Sequence, residues 1–413
     1  MGEVKVNRLL EKLQLKEFKL SSLLEVTKAI NENFKTDKLL NLYEYILHEQ
    51  LGISKLVLYH YDNIEWTCLL RYGAKGKAKK VDVKKDLSHI SEITVIESSS
   101  SDSLNSFDLV VPIMHKDLPL AYLLIGDLNE DELIISPTIK HMPFVQTLTN
   151  IIIVAIENKR FANESIIQER ANREMELAAE MQKLLFPAKL PSNNRMEVAA
   201  HYESLHLIGG DYYDFIQLNN EEYVLCIADV SGKGVPAALL MSNFQANLRA
   251  NIKYNHEGLS IENLIRELNK NVNDSANGEK FITFFLAYYN CTNRVLKYIN
   301  AGHNHPILTD GKTAKHLNKG CIGLGMFEEL PFIEVEEIVL KPNDTLVCFT
   351  DGLVELENEE GEQFETERLI NTIHDNFHLR MKDLNKLIFF QLEKYKGDAE
   401  YEDDTAAMSC RFF

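Results

Sequence analysis

The sequence predicts an α+β chain of more than one domain. Three observations lead there. At 413 residues the chain is longer than a single hydrophobic core usually serves. Apolar residues recur at helical spacing over the first 50 residues and again over 158–185, whereas most of the remainder consists of short apolar runs rich in β-branched and aromatic residues. Pro187 and Pro191 then stop the second helical stretch and mark a boundary.

From the N-terminus, Leu23, Leu24, Val26, Ile30 and Phe34 have helical spacing behind a capping Ser21-Ser22, and a second helix runs from about Thr36 to Gln50. Ile53–Tyr61 and Trp66–Tyr72 read as strands. Lys75–Lys85 and Ser98–Ser103 read as polar loops. Phe107–Met114 and Leu118–Gly126 form a strand pair around His115-Lys-Asp117, and helix returns from about Ser136 to Asn158. This order, helix, antiparallel strands and a long closing helix, resembles a GAF domain over residues 21–160, with 1–20 as a preceding helical segment. The resemblance implies a sensor for a small-molecule or protein signal. A filled core that serves dimerisation is the other reading. His60 and Cys68 could ligate a group, but a lone His on a strand is more often a hydrogen-bonded part of the fold, so no ligand site is assigned.

Residues 161–189 read as a linker helix. Ile167, Ala171, Ala178, Met181 and Leu185 fit one heptad seam, with Glu174 as its polar interruption, which predicts a parallel homodimeric coiled coil; a solvated helix packed on its own domain is the other reading. No Gly/Ser-rich tether follows, so the helix is expected to transmit a change of geometry to what comes next, with Met181, Leu184 and Leu185 the most sensitive positions.

Beyond Pro191, strands alternate with a few helices. Tyr223–Ala228 is a buried strand that ends at Asp229, followed by Ser-Gly-Lys-Gly. Val235–Arg249 and Leu259–Asn273 are amphipathic helices. Lys280–Tyr289 and Arg294–Asn300 form a hairpin. Pro306–Leu308, Phe332–Leu340 and Thr345–Phe349 are strands, and Glu367–Asn376 and Met381–Tyr395 are helices. Four acidic clusters fall at strand ends: Asp211 and Asp214 after Gly209-Gly210, then Asp229, Asp351 and Asp403-Asp404. Asp beside Gly is also ordinary turn chemistry. Four such clusters in one region suggest convergence, and oxygen-only clusters suit hard cations such as magnesium or manganese. No His/Cys pattern with zinc spacing accompanies them.

Gly209-Gly-Asp-Tyr-Tyr-Asp214, Ala228-Asp-Val-Ser-Gly-Lys-Gly-Val-Pro-Ala-Ala-Leu239, Asn300-Ala-Gly-His-Asn-His-Pro306, Phe349-Thr-Asp-Gly-Leu-Val-Glu355 and Asp403-Asp-Thr405 occur in one order over residues 190–413. Together they resemble the SpoIIE-like branch of the metal-dependent type 2C protein serine/threonine phosphatases. The resemblance implies a two-sheet β sandwich flanked by helices, two divalent cations (Mn2+ or Mg2+) in a cleft at one end, and hydrolysis of a phosphorylated regulatory protein such as an anti-sigma factor antagonist. It implies Asp229 as bridging ligand, the Val230 carbonyl as another, and Asp211, Asp351 and Asp403 completing the shells, with Asp211 and Asp229 at the chemistry. Asp214 and Asp404 are second choices, and the motif of His303 and His305 is read as mainly structural. The chain departs from the family at Gln363-Phe-Glu365, where a glycine commonly follows the Phe.

A formal net charge of −18 argues against nucleic acid and anionic membranes as partners. Six scattered cysteines, no apolar run long enough to span a bilayer and no signal-peptide core at the start predict a reduced, cytoplasmic protein. Two rival functions remain. A diguanylate cyclase is prompted by Gly209-Gly-Asp211, yet the Asp-Gly and Asp-Asp-Thr clusters would then have no use. A catalytically silent docking module would have no need of the full carboxylate set.

Overall fold

The computed structural model describes residues 2–75, 81–96, 101–116, 118–126, 137–254 and 260–413. The chain divides into two compact units, Met1–Glu169 and Arg170–Phe413, and each is described by itself.

In the first unit, α1 (Gly2–Asn31) and α2 (Thr36–Tyr45, prolonged by a π-helical turn over Ile46–Gln50) precede strands β1 (Lys55–Tyr61) and β2 (Trp66–Tyr72). A short helix α3 (Val83–Asp86) and strand β3 (Thr94–Val95) follow, then β4 (Leu109–His115), β5 (Leu118–Gly126) and α4 (Pro137–Lys183). The strands form one sheet in the order β2-β1-β5-β4-β3, antiparallel throughout. One face packs on α1, α2 and α4 through Leu56, Leu58, Val111 and Leu123 against Val26, Tyr43, Leu148 and Ile152. The expected strands and closing helix are present. Part of the expected basic loop is instead α3, because Asp82 caps it by accepting from the Lys85 N–H. The rest of that loop, 76–80, and residues 97–100 of the serine loop lie outside the described residues. His60 makes a hydrogen bond to Glu157 at 2.7 Å and is buried, as expected of a histidine that belongs to the fold.

Helix α4 ends in the second unit, whose strands and helices are β6 (Met196–Glu203), β7 (Tyr212–Gln217), β8 (Glu222–Val230), α5 (Val235–Tyr254), α6 (Ile261–Ala276), β9 (Ile282–Asn290), β10 (Val295–Ala301), β11 (Ile307–Thr309), β12 (Ala314–His316), β13 (Gly320–Cys321), β14 (Glu336–Val339), β15 (Thr345–Phe349), α7 (Asp351–Val354), α8 (Glu365–Asp375), α9 (Met381–Lys396) and β16 (Thr405–Phe412). One sheet has the order β13-β10-β9-β8-β7 with β14 added to β10, and the other β12-β11-β15-β16-β6. Tyr223, Leu225 and Ile227 of β8 face Leu346, Cys348, Met408 and Cys410 of the second sheet. The alternate residues Val224, Cys226 and Ala228 face α5 and α6 through Met241, Phe244, Ile265 and Leu268. On the far side Val347, Phe349 and Ala407 meet α8 and α9 through Leu369, Ile373, Leu384 and Ile388. Strands covered on both faces become continuous apolar runs, which is why β8 and β15 were legible. Strand β6, Met-Glu-Val-Ala-Ala-His-Tyr-Glu, was not expected. Its alanines carry little strand preference, and its pairing with β16 makes it a strand.

The six cysteines are free, and Cys226, Cys321, Cys348 and Cys410 are buried. Among the described residues no helix is long and apolar enough to cross a membrane.

Candidate metal centre

The acidic clusters meet because of strand register. Antiparallel pairing of β7 with β8 puts Tyr212 opposite Ala228, so Asp211, just before β7, neighbours Asp229 near the end of β8. In the other sheet Phe349 pairs with Ala407, so Thr350-Asp351 after β15 lies beside Asp403-Asp404 before β16. The Thr350 hydroxyl donates to Asp211 Oδ2 at 2.7 Å and accepts from the Ala406 N–H at 2.8 Å, tying the ends of the two sheets together. The Val230 carbonyl lies against Gly210, 3.1 Å from where a Cβ there would sit, closer than an ordinary van der Waals contact. Asp211, Asp229, Asp351, Asp403 and the Val230 carbonyl are thus all at one end of the sandwich.

Crowding and burial dominate the electrostatics. Asp211 is 1% exposed; burial first, and the charge of Asp229 second, push its pKa well above the ordinary carboxylate value. Asp229 is pushed up to about 7 by burial and by the charges of Asp351, Asp403 and Asp404. Asp351 is raised by burial and by Asp403, against the pull of Lys233. Lys233 extends over this edge, with Nζ 3.0 Å from Asp403 Oδ2, and donates to the Glu402 carbonyl. These are groups that a cation would relieve.

The second-choice residues do other work. Asp214 is fully buried and accepts from Arg249 Nε at 2.7 Å and Nη2 at 2.9 Å, from the Tyr212 hydroxyl and from the Phe215 N–H. Asp404 accepts from the Gly210 N–H at 2.6 Å and the Leu205 N–H at 2.8 Å, fastening the 205–210 loop. Gly209 is needed there, since a Cβ would lie 2.1 Å from the Tyr202 hydroxyl and 2.3 Å from Asp404. His303 is buried, bonds the Thr283 hydroxyl at 2.8 Å through Nδ1, and takes its own N–H to Asn300; burial lowers its pKa to about 3, so the ring is neutral. Thr283 pairs with Asp229, so the motif of His303 buttresses the strand beneath the carboxylates. His305 is exposed and is not part of that contact.

The donor set is all oxygen, which fits a hard cation. Among the described residues no three Asp, Glu, His or Cys side chains stand so that they could hold one ion as placed. The carboxylates instead act on one another in pairs: beyond burial, the charge of Asp229 raises Asp211, and those of Asp351 and Asp403 raise Asp229. Ions of this kind keep several waters and take only one or two carboxylates each, so the pairs fit them.

The family described as Stage II sporulation protein E (SpoIIE) matches residues 219–413. Phosphoserine phosphatase RsbU of Bacillus subtilis is 29% identical over 240 residues, covering 58% of this chain and 70% of that one. Phosphoserine phosphatase RsbP of the same organism is 26% identical over 188 residues, 44% of this chain and 45% of that one. Among solved structures, the SiaA-PP2C domain of Pseudomonas aeruginosa superposes with a TM-score of 0.54 at 19% identity, covering 60% of this chain and 99% of that one, a likeness of fold. Residues 219–413 of the C-terminal unit are thus similar to the SpoIIE family, on a fold like that of a PP2C domain. Within this unit, sequence reasoning missed three residues around the acidic edge. Thr350 stands in a matched motif, but its bond to Asp211 spans 139 residues. Arg249 was visible only as a charge on an amphipathic helix. Gln182 looked like one more polar residue of the linker. Of the three positions expected to be sensitive, Met181 and Leu184 are 65% and 74% exposed in the single chain, whereas Leu185 is half-buried against the domain core, and Gln182 and Phe186 also face the domain.

Proposed function

We propose that the SpoIIE-like domain hydrolyses phosphoserine or phosphothreonine on a small regulatory protein, such as an anti-sigma factor antagonist, using two divalent cations, Mn2+ or Mg2+. The observation that carries this is the meeting of Asp211, Asp229, Asp351 and Asp403 from two sheets at one edge, with burial and mutual repulsion raising Asp211, Asp229 and Asp351. Asp229 would bridge. Asp211 and the Val230 carbonyl would serve one side, and Asp351 and Asp403 the other. A bound ion pair supplies an activated water and neutralises phosphoryl charge. The chain's own part is to hold the carboxylates apart and dry. Thr350 fixes the rotation of Asp211, Asp404 fixes the loop before it, and neutral His303 supports the strand of Asp229. The names of RsbU and RsbP support a phosphoserine substrate. The test is turnover of an aryl phosphate and of a phosphoserine protein with and without manganese. Activity without any divalent ion, or none with it, would sink this reading.

The N-terminal unit, with its antiparallel sheet between helices, is proposed as a GAF-like sensor over residues 21–160 that regulates the phosphatase. Of the seam residues, Ile167, Ala171, Ala178 and Met181 are exposed in the single chain, which supports a homodimer through residues 161–189, while Leu185 is half-buried against its own domain. Sedimentation at micromolar concentration tests it, and a strict monomer there removes it.

A further inference from the structure

The end of α4 makes an unusual contact with the loop that carries Asp211. Gln182 is 8% exposed although it sits in a helix whose neighbouring positions 181, 183 and 184 face solvent. Its carboxamide donates from Nε2 to the Gly209 carbonyl at 2.7 Å and accepts the Gly209 N–H on Oε1 at 3.2 Å. One side chain therefore satisfies both polar groups of a buried glycine, as a neighbouring strand would. The next N–H, that of Gly210, goes to Asp404, and the carboxylate of the residue after that, Asp211, receives Thr350. Three consecutive residues are thus held from three sides. Asp404 and Thr350 belong to the second sheet, and Gln182 alone comes from the helix. Four residues on from Gln182, Phe186 packs its ring on Tyr202 at 5.2 Å and against Tyr213 at 5.0 Å. Tyr202 is the residue whose hydroxyl closes over Gly209.

We propose that Gln182 is a positioning residue for the carboxylate of Asp211. It acts through the Gly209 peptide and touches neither substrate nor ion. A glycine pair has the widest backbone freedom of any dipeptide, so a carboxylate that follows it has no intrinsic direction. Two parallel hydrogen bonds from one planar amide fix both peptide planes that flank Gly209, and so its φ and ψ, which a single bond would leave free to rotate. With those planes set, the Gly210 N–H meets Asp404 and Asp211 meets Thr350. Without Gln182 the Gly209 polar groups are buried and unpaired, and the loop must turn to find other partners. The inference rests on the proposed metal-dependent reading, since it assigns Asp211 to an ion.

The experiment uses the full chain and manganese alone as the probe. Gln182→Met keeps length and volume but removes both bonds. Free manganese is titrated by its paramagnetic resonance signal without substrate, and exchange of the Gly209 and Gly210 amides is followed in the metal-free protein. Loss of a partner that orients a metal ligand typically weakens binding about tenfold or more; that weakening is expected here, with faster exchange at both amides and an unchanged KM for a phosphoserine substrate at saturating manganese. Gln182→Asn keeps the amide but is a methylene too short to reach both groups, so it weakens manganese binding in the same way; it decides the matter where the methionine variant does not fold. Gln245→Met is the control, because Gln245 anchors the same helix end through the Leu185 carbonyl at 3.3 Å without touching Gly209. It is expected to lower the melting temperature and leave manganese affinity alone. Manganese affinity within about twofold of wild type in the Gln182 variants, or an equal loss in Gln245→Met, overturns the positioning role. A wild-type chain that binds and uses manganese while the variants match it sinks this inference alone. A wild-type chain that binds none sinks the metal-dependent reading and this inference with it.

Discussion

Replacing Asp229 with asparagine separates stability from function more sharply than any other single change. The native state raises the Asp229 pKa from 3.8 to about 7, chiefly through burial and then through Asp351, Asp403 and Asp404. A folded-state pKa above the unfolded one means that the native state binds the proton more tightly. Stability of the metal-free protein therefore falls as pH rises from about 4 towards 7 and levels off beyond. The interval is roughly three powers of ten, at about 1.4 kcal/mol each, which bounds the cost of the charged group near 4 kcal/mol. Relaxation and partial hydration reduce such figures, so a measured cost of about 1–2 kcal/mol is expected. Asp229→Asn removes that charge at nearly constant volume. In EDTA at pH 8 the variant should melt about 2–8 °C above wild type, given 2–4 °C per kcal/mol for a domain of this size. At pH 5 the two should nearly coincide. With manganese present the order reverses, since only wild type gains from binding, and turnover by the variant should fall below about a tenth of wild type. A variant less stable than wild type at pH 8 in EDTA would refute the electrostatic account of the edge. Substantial turnover by the variant would refute the role given to Asp229.

Thr350→Val removes the hydroxyl that turns Asp211 and leaves a methyl in its place; manganese affinity should drop about tenfold with little loss of secondary structure, read by the same resonance titration. Asp214→Asn breaks a buried pair whose other half, Arg249, is 44% exposed, so the loss should lie near the low end of the buried-pair range, about 3 kcal/mol by urea denaturation, with manganese affinity in the folded protein unchanged. Glu365→Gly should stabilise the domain by about 0.5–1 kcal/mol, because Glu365 has φ 65° and an exposed side chain: the left-handed conformation costs about 1–2 kcal/mol, of which glycine's extra chain entropy returns part. A lower urea midpoint for that variant would show that Glu365 is held by something other than its backbone.

Much of this was legible because the chemistry is local. A strand sandwiched between sheet and helix must be apolar on both faces, so Tyr223–Ala228 and Thr345–Phe349 announced themselves, and each ran straight into its aspartate. The departure at Glu365 was legible too, since a glycine expected at a turn marks a backbone angle, and the angle is there with a glutamate forced into it. What was hidden depends on pairs distant in sequence or on the facing of neighbours. Asp403 and Asp404 are adjacent at a bend just before β16, and their side chains go different ways. Asp404 turns inward to Gly210 and Leu205, and Asp403 outward to Lys233. Nothing in Asp-Asp-Thr says which is which.

Compensation of charge is what separates the framework aspartates from those proposed to hold the ions. Most of these residues lie at or beside strand ends and Asp214 lies two residues into β7, so position alone does not rank them. Asp214 has a bidentate guanidinium, a hydroxyl and an N–H, which together hold one charge at no electrostatic deficit. Asp404 has two backbone N–H donors. Asp211, by contrast, is equally buried but has one neutral hydroxyl and a second carboxylate for company. A buried acid with too few donors is expensive, and a fold keeps such a group only where something else completes it. Burial raises Asp404 as well, with its backbone N–H donors pulling against it; Asp211, Asp229 and Asp351 are raised by burial and by neighbouring carboxylates, with Asp403 beside them at the rim. A cation that fills the deficit gains affinity from the same repulsion that raises the carboxylates, so the instability of the bare edge and the strength of metal binding are one quantity. Variants that relieve the first, as Asp229→Asn does, must therefore weaken the second.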